Sequence, residues 1–404
     1  MLIERRMGPR LVGLAAGFPV VTITGPRQAG KTTLARQCFP EHRYVSLEDP
    51  DQRSYAREDP RAFLDELGDG AVLDEIQRVP DLTSWLQRRV DEDPTPGRWI
   101  LTGSSNLHVH QAVSQSLAGR TAMLTLLPLD IDERMELAPT DNLMRVLWEG
   151  SFPAIHRRGL SAADWLGSYV ETYVERDVRQ VLNVKDLLAF RSFLELCAGH
   201  SGQLVNLSRL GAPAGVSHNT ARSWLSVLEA AHLAWRLPSL QKSLGKRLVR
   251  APKLHLVDSG LACWLLGLRE PEQLRRHPLR GSIFETWMVA EVRKALTNHG
   301  LRPRMSFFRD RAGHEVDLVV ERRDDLVAVE AKSGSTIDGS FFKELIRLDE
   351  LVRRTPTAIT GEVVRVLVHG GDQRQRRAVG LALPWRTIQS LDWSGARGGD
   401  ETGS

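Results

Sequence analysis

A chain of 404 residues, 42% hydrophobic and 26% charged, has the make-up of a globular protein with room for two or three cores. A net charge of +4 is mildly basic, which permits nucleic-acid contact without demanding it, and no apolar run reaches the roughly 18 residues of a membrane span. Cys38, Cys197 and Cys263 lie far apart with no CxxC pair, which argues against a disulfide framework or zinc knuckle and for buried thiols in a reducing cytoplasm.

The opening segment MLIERRMGPRLVG carries charges and no apolar region leading to a cleavage site. Val20 to Thr24 then forms a β-branched run, read as a buried strand. It leads into Gly25, Pro26, Arg27, Gln28, Ala29, Gly30, Lys31 and Thr32, the spacing of a phosphate-binding loop, with Thr33 continuing into a helix. Glycine lets successive N–H groups point at anionic oxygens, and the helix N-terminus adds partial positive charge. Lys31 is expected at the β/γ-phosphates of ATP, and the Thr32 hydroxyl on Mg²⁺.

A nucleotide hydrolase also needs an acid near the metal. Ala71 to Leu73 reads as an apolar strand with Asp74 and Glu75 at its C-terminal end, the edge where open α/β sheets bind ligands. Asp74 is expected in the Mg²⁺ shell and Glu75 on the attacking water. A third strand ends at Thr102, followed by Ser104, Ser105 and Asn106 as candidate γ-phosphate sensors, or a plain turn. Arg120 precedes a further strand and is a candidate transition-state arginine for its own or a neighbouring subunit, with a locally paired arginine as the alternative. His108 and His110 flank one valine with no partner at ligand spacing and read as loop residues.

After Gly150 the pattern turns helical. Trp165, Tyr169, Tyr173 and Val174 share one face, so the tyrosines are expected in a core rather than on a base-stacking platform. Asn206 to Leu210 begins a short helix, Gly215 and Val216 turn the chain, and Ser217 caps a second helix running to about Ala231. With the strand AWRLPSL this is a helix-turn-helix with a wing, and His218 and Arg222 lie where phosphate or base contact is made. The stretch QKSLGKRLVRAPK, basic and free of acids, is expected on a phosphate backbone. Winged helices also serve as protein-interaction modules.

The last third contains Asp317, then twelve residues, then Glu330-Ala331-Lys332, with Glu285 on a preceding amphipathic helix. Strand alternation puts Glu330 and Lys332 on one face, with Val327, Val329 and Ala331 on the other. Restriction-type nucleases hold Mg²⁺ with such acids and orient water with such a lysine. Asp317 and Glu330 are thus candidate metal ligands, and a merely exposed hairpin is the alternative. The tail SGARGGDETGS has the composition of a disordered end.

Taken together, GPRQAGKT, LDEIQRVPDL, LTGSSN, LAGRT, GSFPAI, KLHLVDSGLA, GSIFETWMVAEV and EVDLVV with VEAKSG resemble a family of prokaryotic AAA-type ATPases with a C-terminal domain long catalogued as of unknown function. The resemblance spans roughly Met1 to Gly334, with serines where other AAA ATPases end the sensor strand in asparagine. It implies an α/β chain organised as a P-loop AAA-type ATPase domain (1–138), a helical linker (139–185) and a winged helix-turn-helix (186–252). A restriction-endonuclease-like α/β domain (253–390) and a disordered tail (391–404) follow. Glu285, Asp317, Glu330 and Lys332 match its nuclease-like positions. The function expected is a cytoplasmic, Mg²⁺-dependent ATPase that binds duplex or branched DNA, with nuclease or remodelling activity and homo-oligomerisation open. The alternative is a nucleotide-controlled switch for a protein partner with a silent nuclease-like domain.

Overall fold

A computed structural model describes residues 3–104, 116–174, 186–240, 248–323, 325–354 and 361–395. Strands β1 (Val20–Thr24), β2 (Arg43–Ser46), β3 (Ala71–Asp74), β4 (Trp99–Thr102) and β5 (Thr121–Thr125) form a parallel sheet in the order β2-β3-β4-β1-β5. Alternation splits its side chains between two layers. Val21, Ile23, Val72 and Ile100 pack under the helices Gly8–Ala15 and Lys31–Cys38. Val20, Val45, Leu73 and Leu101 pack under Pro60–Glu66 and Leu82–Glu92. The inserted β4 between β1 and β3 sets the phosphate loop and the Asp74 strand end two strands apart, leaving a crevice at the carboxyl edge.

The helices Leu143–Glu149, Pro153–Arg158 and Ala162–Tyr169 follow, as the helical reading expects. Tyr169 is buried, stacked on Trp165 at 5.2 Å and beside Phe152 at 4.9 Å, so it is a core residue. The Tyr173 and Val174 side chains lie outside the described residues. Next come the helix Leu187–Gly199, β6 (Gln203–Leu204), the helices Leu207–Gly211 and His218–Ala230, β7 (Ala234–Leu237) and β8 (Lys253–Leu256). Asn206 and Ser217 cap the second and third helices with their side chains. The strands pair antiparallel in the order β6-β8-β7. The boundary expected after residue 252 therefore moves, because β8 begins at Lys253 and completes this sheet.

The last sheet has the order β13-β14-β12-β11-β10-β9, built from β9 (Met305–Arg309), β10 (Glu315–Arg322), β11 (Asp325–Lys332), β12 (Val363–His369), β13 (Gln375–Arg377) and β14 (Gly380–Pro384). Leu318, Val320, Val327 and Val329 face the long helix Arg280–Asn298, while Val316, Val319 and Ala328 face Lys343–Arg354. One apolar core runs from Ile131 through the middle helices to Trp393. Leu391 and Trp393 are buried in it, so the tail does not begin at residue 391. Residues 396–404 lie outside the described part.

Candidate active site

Gly25 leaves β1 at φ 141°, and a Cβ there would sit 2.1 Å from the Leu126 carbonyl oxygen, so only glycine fits. Gly30, at φ 97°, turns the loop into the helix that starts at Lys31. Lys31 is buried, and its Nζ donates to the carbonyls of Gly25 (3.1 Å) and Pro26 (2.9 Å). The Thr32 hydroxyl donates to Asp74 Oδ1 at 2.8 Å, joining the loop to the end of β3. The Tyr44 hydroxyl donates to Asp74 Oδ2 at 3.0 Å, and the Thr102 hydroxyl donates to Oδ1. Burial, then the Asp74 charge, pushes the Tyr44 phenol up to about 12.

Glu75 sits in the left-handed region at φ 58°, a conformation that costs a non-glycine residue about 1–3 kcal/mol and turns its carboxylate off the strand line. The Ser104 hydroxyl donates to Glu75 Oε2 at 3.0 Å, and the Gln77 amide donates to the same oxygen. Ser104 thus meets the water-orienting candidate. Ser105, Asn106, His108 and His110 lie outside the described residues.

These side chains open onto a cavity of about 370 Å³, within the range of small-molecule sites. Lys31, Thr32, Asp74 and Glu75 line one part of it, and Arg157 and Arg158 from the helix Pro153–Arg158 line another. Both arginines are exposed. Arg5 supports the loop from below: its guanidinium donates to the Ala29 carbonyl (2.7 Å), the Leu127 carbonyl (2.8 Å) and Glu133 Oε1 (3.0 Å). The Thr32–Asp74 pair suits Mg²⁺, since a hydroxyl and a carboxylate converge where a small hard cation bridges loop and strand.

Arg120 lies at the other edge of the sheet. It immediately precedes β5, its carbonyl accepts from the Val20 amide at the start of β1, and its guanidinium grips Asp91 at 2.5 and 2.9 Å. It does not share the cavity that Lys31 lines in its own chain.

The C-terminal acids do converge, around a residue whose basic sequence context points to a wing. Lys253 Nζ lies 2.7 Å from Glu285 Oε1, 2.6 Å from Glu315 Oε1 and 3.7 Å from Asp317 Oδ1. Burial opposes its charge, but Glu285, Asp317 and Glu315 together hold its pKa above the ordinary lysine value. The expectation that Lys253 meets a phosphate backbone is corrected: it is 1% exposed and saturated with carboxylates. Asp317 Oδ2 accepts from the Ala331 amide at 2.9 Å, and Lys332 donates to Glu330 Oε1 at 2.5 Å. Burial, then the charge of Asp317, pushes the pKa of both Glu285 and Glu330 upward, and Lys253 and Lys332 respectively oppose that push. Among the described residues no three His, Cys, Asp or Glu side chains form a metal-holding group.

His218 and Arg222 line a surface recess with Asn206, Ser208 and Arg236, though Arg236 is also paired with Glu229 at 2.6 Å. Of the basic stretch beside it, Lys242, Lys246 and Arg247 lie outside the described residues. Its flanks run along the sheet edge: the Leu240 amide donates to the Phe307 carbonyl (2.7 Å) and the Val249 amide to that of Arg309 (3.0 Å).

The chain is similar to known proteins over most of its length. Residues 17–135 match the family described as AAA domain, residues 140–272 the domain of unknown function DUF8612, and residues 280–388 the domain of unknown function DUF4143. Over 340 residues the chain is 32% identical to "Uncharacterized protein Rv2008c" of Mycobacterium tuberculosis, and equally to "Uncharacterized protein Mb2031c" of Mycobacterium bovis, covering 83% of this chain and 75% of each relative. The chain belongs to the family of these mycobacterial proteins. In this family member the N-terminal unit is an AAA-type ATPase domain built around the Lys31 loop. Likeness to solved structures is distant. The Walker-type ATPase PABY2304 of Pyrococcus abyssi is 15% identical with a TM-score of 0.46, covering 65% of this chain and 96% of that one. AMPPCP-bound DnaA from Aquifex aeolicus is 16% identical with a TM-score of 0.26, covering 55% and 85%. No described helix is long and apolar enough to cross a membrane.

Several of these residues escape sequence reasoning. Arg5 carries no motif and Tyr44 only opens the second-strand stretch YVSLEDP, so the fold alone brings their side chains to the loop. Arg157 and Arg158 follow GSFPAI by one residue, and a basic pair closing a helix beside a phosphate site is the available signal. Glu315 lies two residues before Asp317 on the same strand face, so alternation alone points to it.

Proposed function

We propose that this protein is a Mg²⁺-dependent ATPase that binds DNA through a winged helix packed on a restriction-endonuclease-like domain and couples its nucleotide cycle to conformational change. The observation that carries the ATPase reading is the 2.8 Å contact of Thr32 with Asp74 at a cavity also lined by Lys31 and Glu75. The loop amides and Lys31 receive the β/γ-phosphates. Thr32 and Asp74 would hold Mg²⁺, which when bound would neutralise charge on the phosphate oxygens. Glu75 orients the attacking water and draws its proton as the bond from the γ-phosphorus to the β,γ-bridging oxygen breaks, leaving ADP and phosphate. Ser104 holds Glu75 in place, and Arg157 and Arg158 offer positive charge to the phosphates from the following helical segment.

The DNA reading rests on the order helix, strand, helix, helix, strand, strand between residues 187 and 256, which is that of a winged helix, and on the recess holding His218 and Arg222. The order of the long helix, antiparallel β9, β10 and β11, the helix Lys343–Arg354 and then β12 parallel to β11 supports the nuclease-like reading. The second reading, a protein-partner switch with a silent C-terminal domain, is favoured by the lysine among the acids.

The test is ATP turnover with and without single-stranded, duplex and junction DNA, checking DNA integrity in the same samples. Stimulation by one DNA class with uncut DNA supports the proposal. Absence of ATP binding in the presence of Mg²⁺ sinks the ATPase reading, and an unstimulated ATPase with no salt-sensitive DNA affinity favours the protein-partner reading.

A further inference from the structure

We infer that Lys253 is the permanent cation of the acid cluster formed by Glu285, Glu315 and Asp317, so that this cluster is a docking centre between β8 and the C-terminal sheet and not a metal site. The residues do not fit the divalent ion that their nuclease-like pattern implies. The centre of the acids is filled by an ammonium group 2.6 Å from Glu315 and 2.7 Å from Glu285, with Asp317 at 3.7 Å. A divalent cation held at 2.0–2.6 Å by the same oxygens would have to expel that group. Asp317 spends its second oxygen on the Ala331 amide, and Glu330 is engaged by Lys332. The Lys253 ammonium also lies 5.4 Å from the centroid of Phe307, a buried ring of β9.

The location of Lys253 gives the contact its purpose. It opens β8, the return strand of the three-stranded sheet, whereas its partners come from the helix Arg280–Asn298 and from β10. The chain just before it is already laced to β9 by the Val249–Arg309 hydrogen bond. Three carboxylates crowded together without a cation would repel one another in a poorly solvated place, and the lysine turns that repulsion into attachment. A module that contacts a ligand on its recess side is thereby fixed to the sheet through one buried charge.

The experiment uses nucleotide-free full-length protein and reads the melting temperature with and without Mn²⁺. K253M is expected to melt about 10 °C below wild type, and K253R to fall by less. The destabilisation by D317N is expected to be much smaller in the K253M background than in wild type, because the two residues act as one pair. Mn²⁺ is expected to leave wild type unchanged. If K253M cannot be purified, K253R and the Mn²⁺ arms on wild type and D317N decide. A K253M protein as stable as wild type overturns the inference. So does a Mn²⁺ stabilisation of wild type that D317N removes and D74N, in the nucleotide site, leaves intact.

Discussion

Arg5 and Glu133 form a buried ion pair, Nε to Oε1 at 3.0 Å, between the first residues of the chain and the helix that ends the ATPase domain. The same guanidinium holds the Ala29 carbonyl of the phosphate loop, so Arg5 ties the loop to Glu133, which lies 128 residues after that arginine. Glu133 closes a capping box with Asp130, Asp130 accepts from Asn298, and the Ile131 amide donates to Glu291 on the long C-terminal helix. Loop and C-terminal domain are joined by one chain of buried polar contacts. Arg5→Met removes the first link. We expect ATP affinity to fall about tenfold, measured by calorimetry, with the fold retained by circular dichroism. Unchanged affinity would remove Arg5 from the nucleotide site.

Glu75→Gln keeps the shape and removes the proposed base. Turnover should fall by about 10²- to 10⁴-fold with ATP affinity within a few-fold of wild type. Ser104→Ala frees the Glu75 carboxylate from one donor and should change kcat by about tenfold while KM holds. A Ser104→Ala enzyme with altered KM and normal kcat would assign the serine to binding instead.

Asp130 is a buried acid whose pKa is raised to about 7 by burial, then by the neighbouring Glu133 and Glu291, against a weaker opposing effect of Arg6. Lys294, paired with Glu291 at 2.6 Å, and Arg5, paired with Glu133 at 3.0 Å, are further cations of that cluster. The folded form holds its proton more tightly than the unfolded chain, so its contribution is complete below about pH 4 and is lost as pH rises through about 7. Asp130→Asn retains an acceptor for the cap and cannot ionise. The melting temperature of wild type should therefore fall relative to Asp130→Asn between about pH 4.5 and 7.5, by several degrees. Buried His156, lowered to about 4 by burial and Arg134, acts in the opposite sense but cancels in this difference. Parallel curves would show that Asp130 does not titrate in that window.

Arg222→Ala and His218→Ala test the recess of the three-helix module. If the recess binds DNA phosphate as proposed, removing the Arg222 charge should reduce the slope of log affinity against log salt by about one, and either substitution should weaken duplex binding across sequences alike. Arg236→Ala is the control, because its guanidinium already serves Glu229. Fluorescence anisotropy at several salt concentrations gives the slopes. An effect of Arg236→Ala larger than that of Arg222→Ala would move the contact surface.

Much of the ATPase unit is legible in the sequence because its determinants are local. The loop spacing from Gly25 to Thr32 and the strand before Asp74 are set by neighbours in sequence, as are the caps at Asn206 and Ser217 in the middle module. Glu285, Asp317 and Glu330 stand out by pattern; Glu285 and Asp317 meet at Lys253, while Glu330 pairs with Lys332. Lys253 is misread from sequence because a basic stretch looks the same whether it faces solvent or carboxylates. Only the pairing of β8 with β6 and β7 turns that residue inward. An end of the fold before residue 391 fails for the same reason: Leu391 and Trp393 are isolated apolar residues whose burial depends on a distant core.

Arg120 leaves a question about neighbours. It stands at the start of β5, whereas the phosphate loop follows the end of β1, and these strands run parallel with Val20 beside Thr121. Arg120 and Lys31 are thus at opposite edges of one sheet, and Arg120 is held by Asp91 in a bidentate grip. A role in its own site would require it to cross the sheet. A role in a neighbour's site requires only that the edge bearing Arg120 meet the cavity edge of a second copy. If that contact forms, specific activity should rise with protein concentration, and Arg120→Ala should abolish the rise while leaving the low-concentration rate intact. Mixing Arg120→Ala with Glu75→Gln should then restore activity, since a mixed interface pairs an intact Glu75 with an intact arginine. Additive residual rates on mixing would confine Arg120 to its surface pair with Asp91.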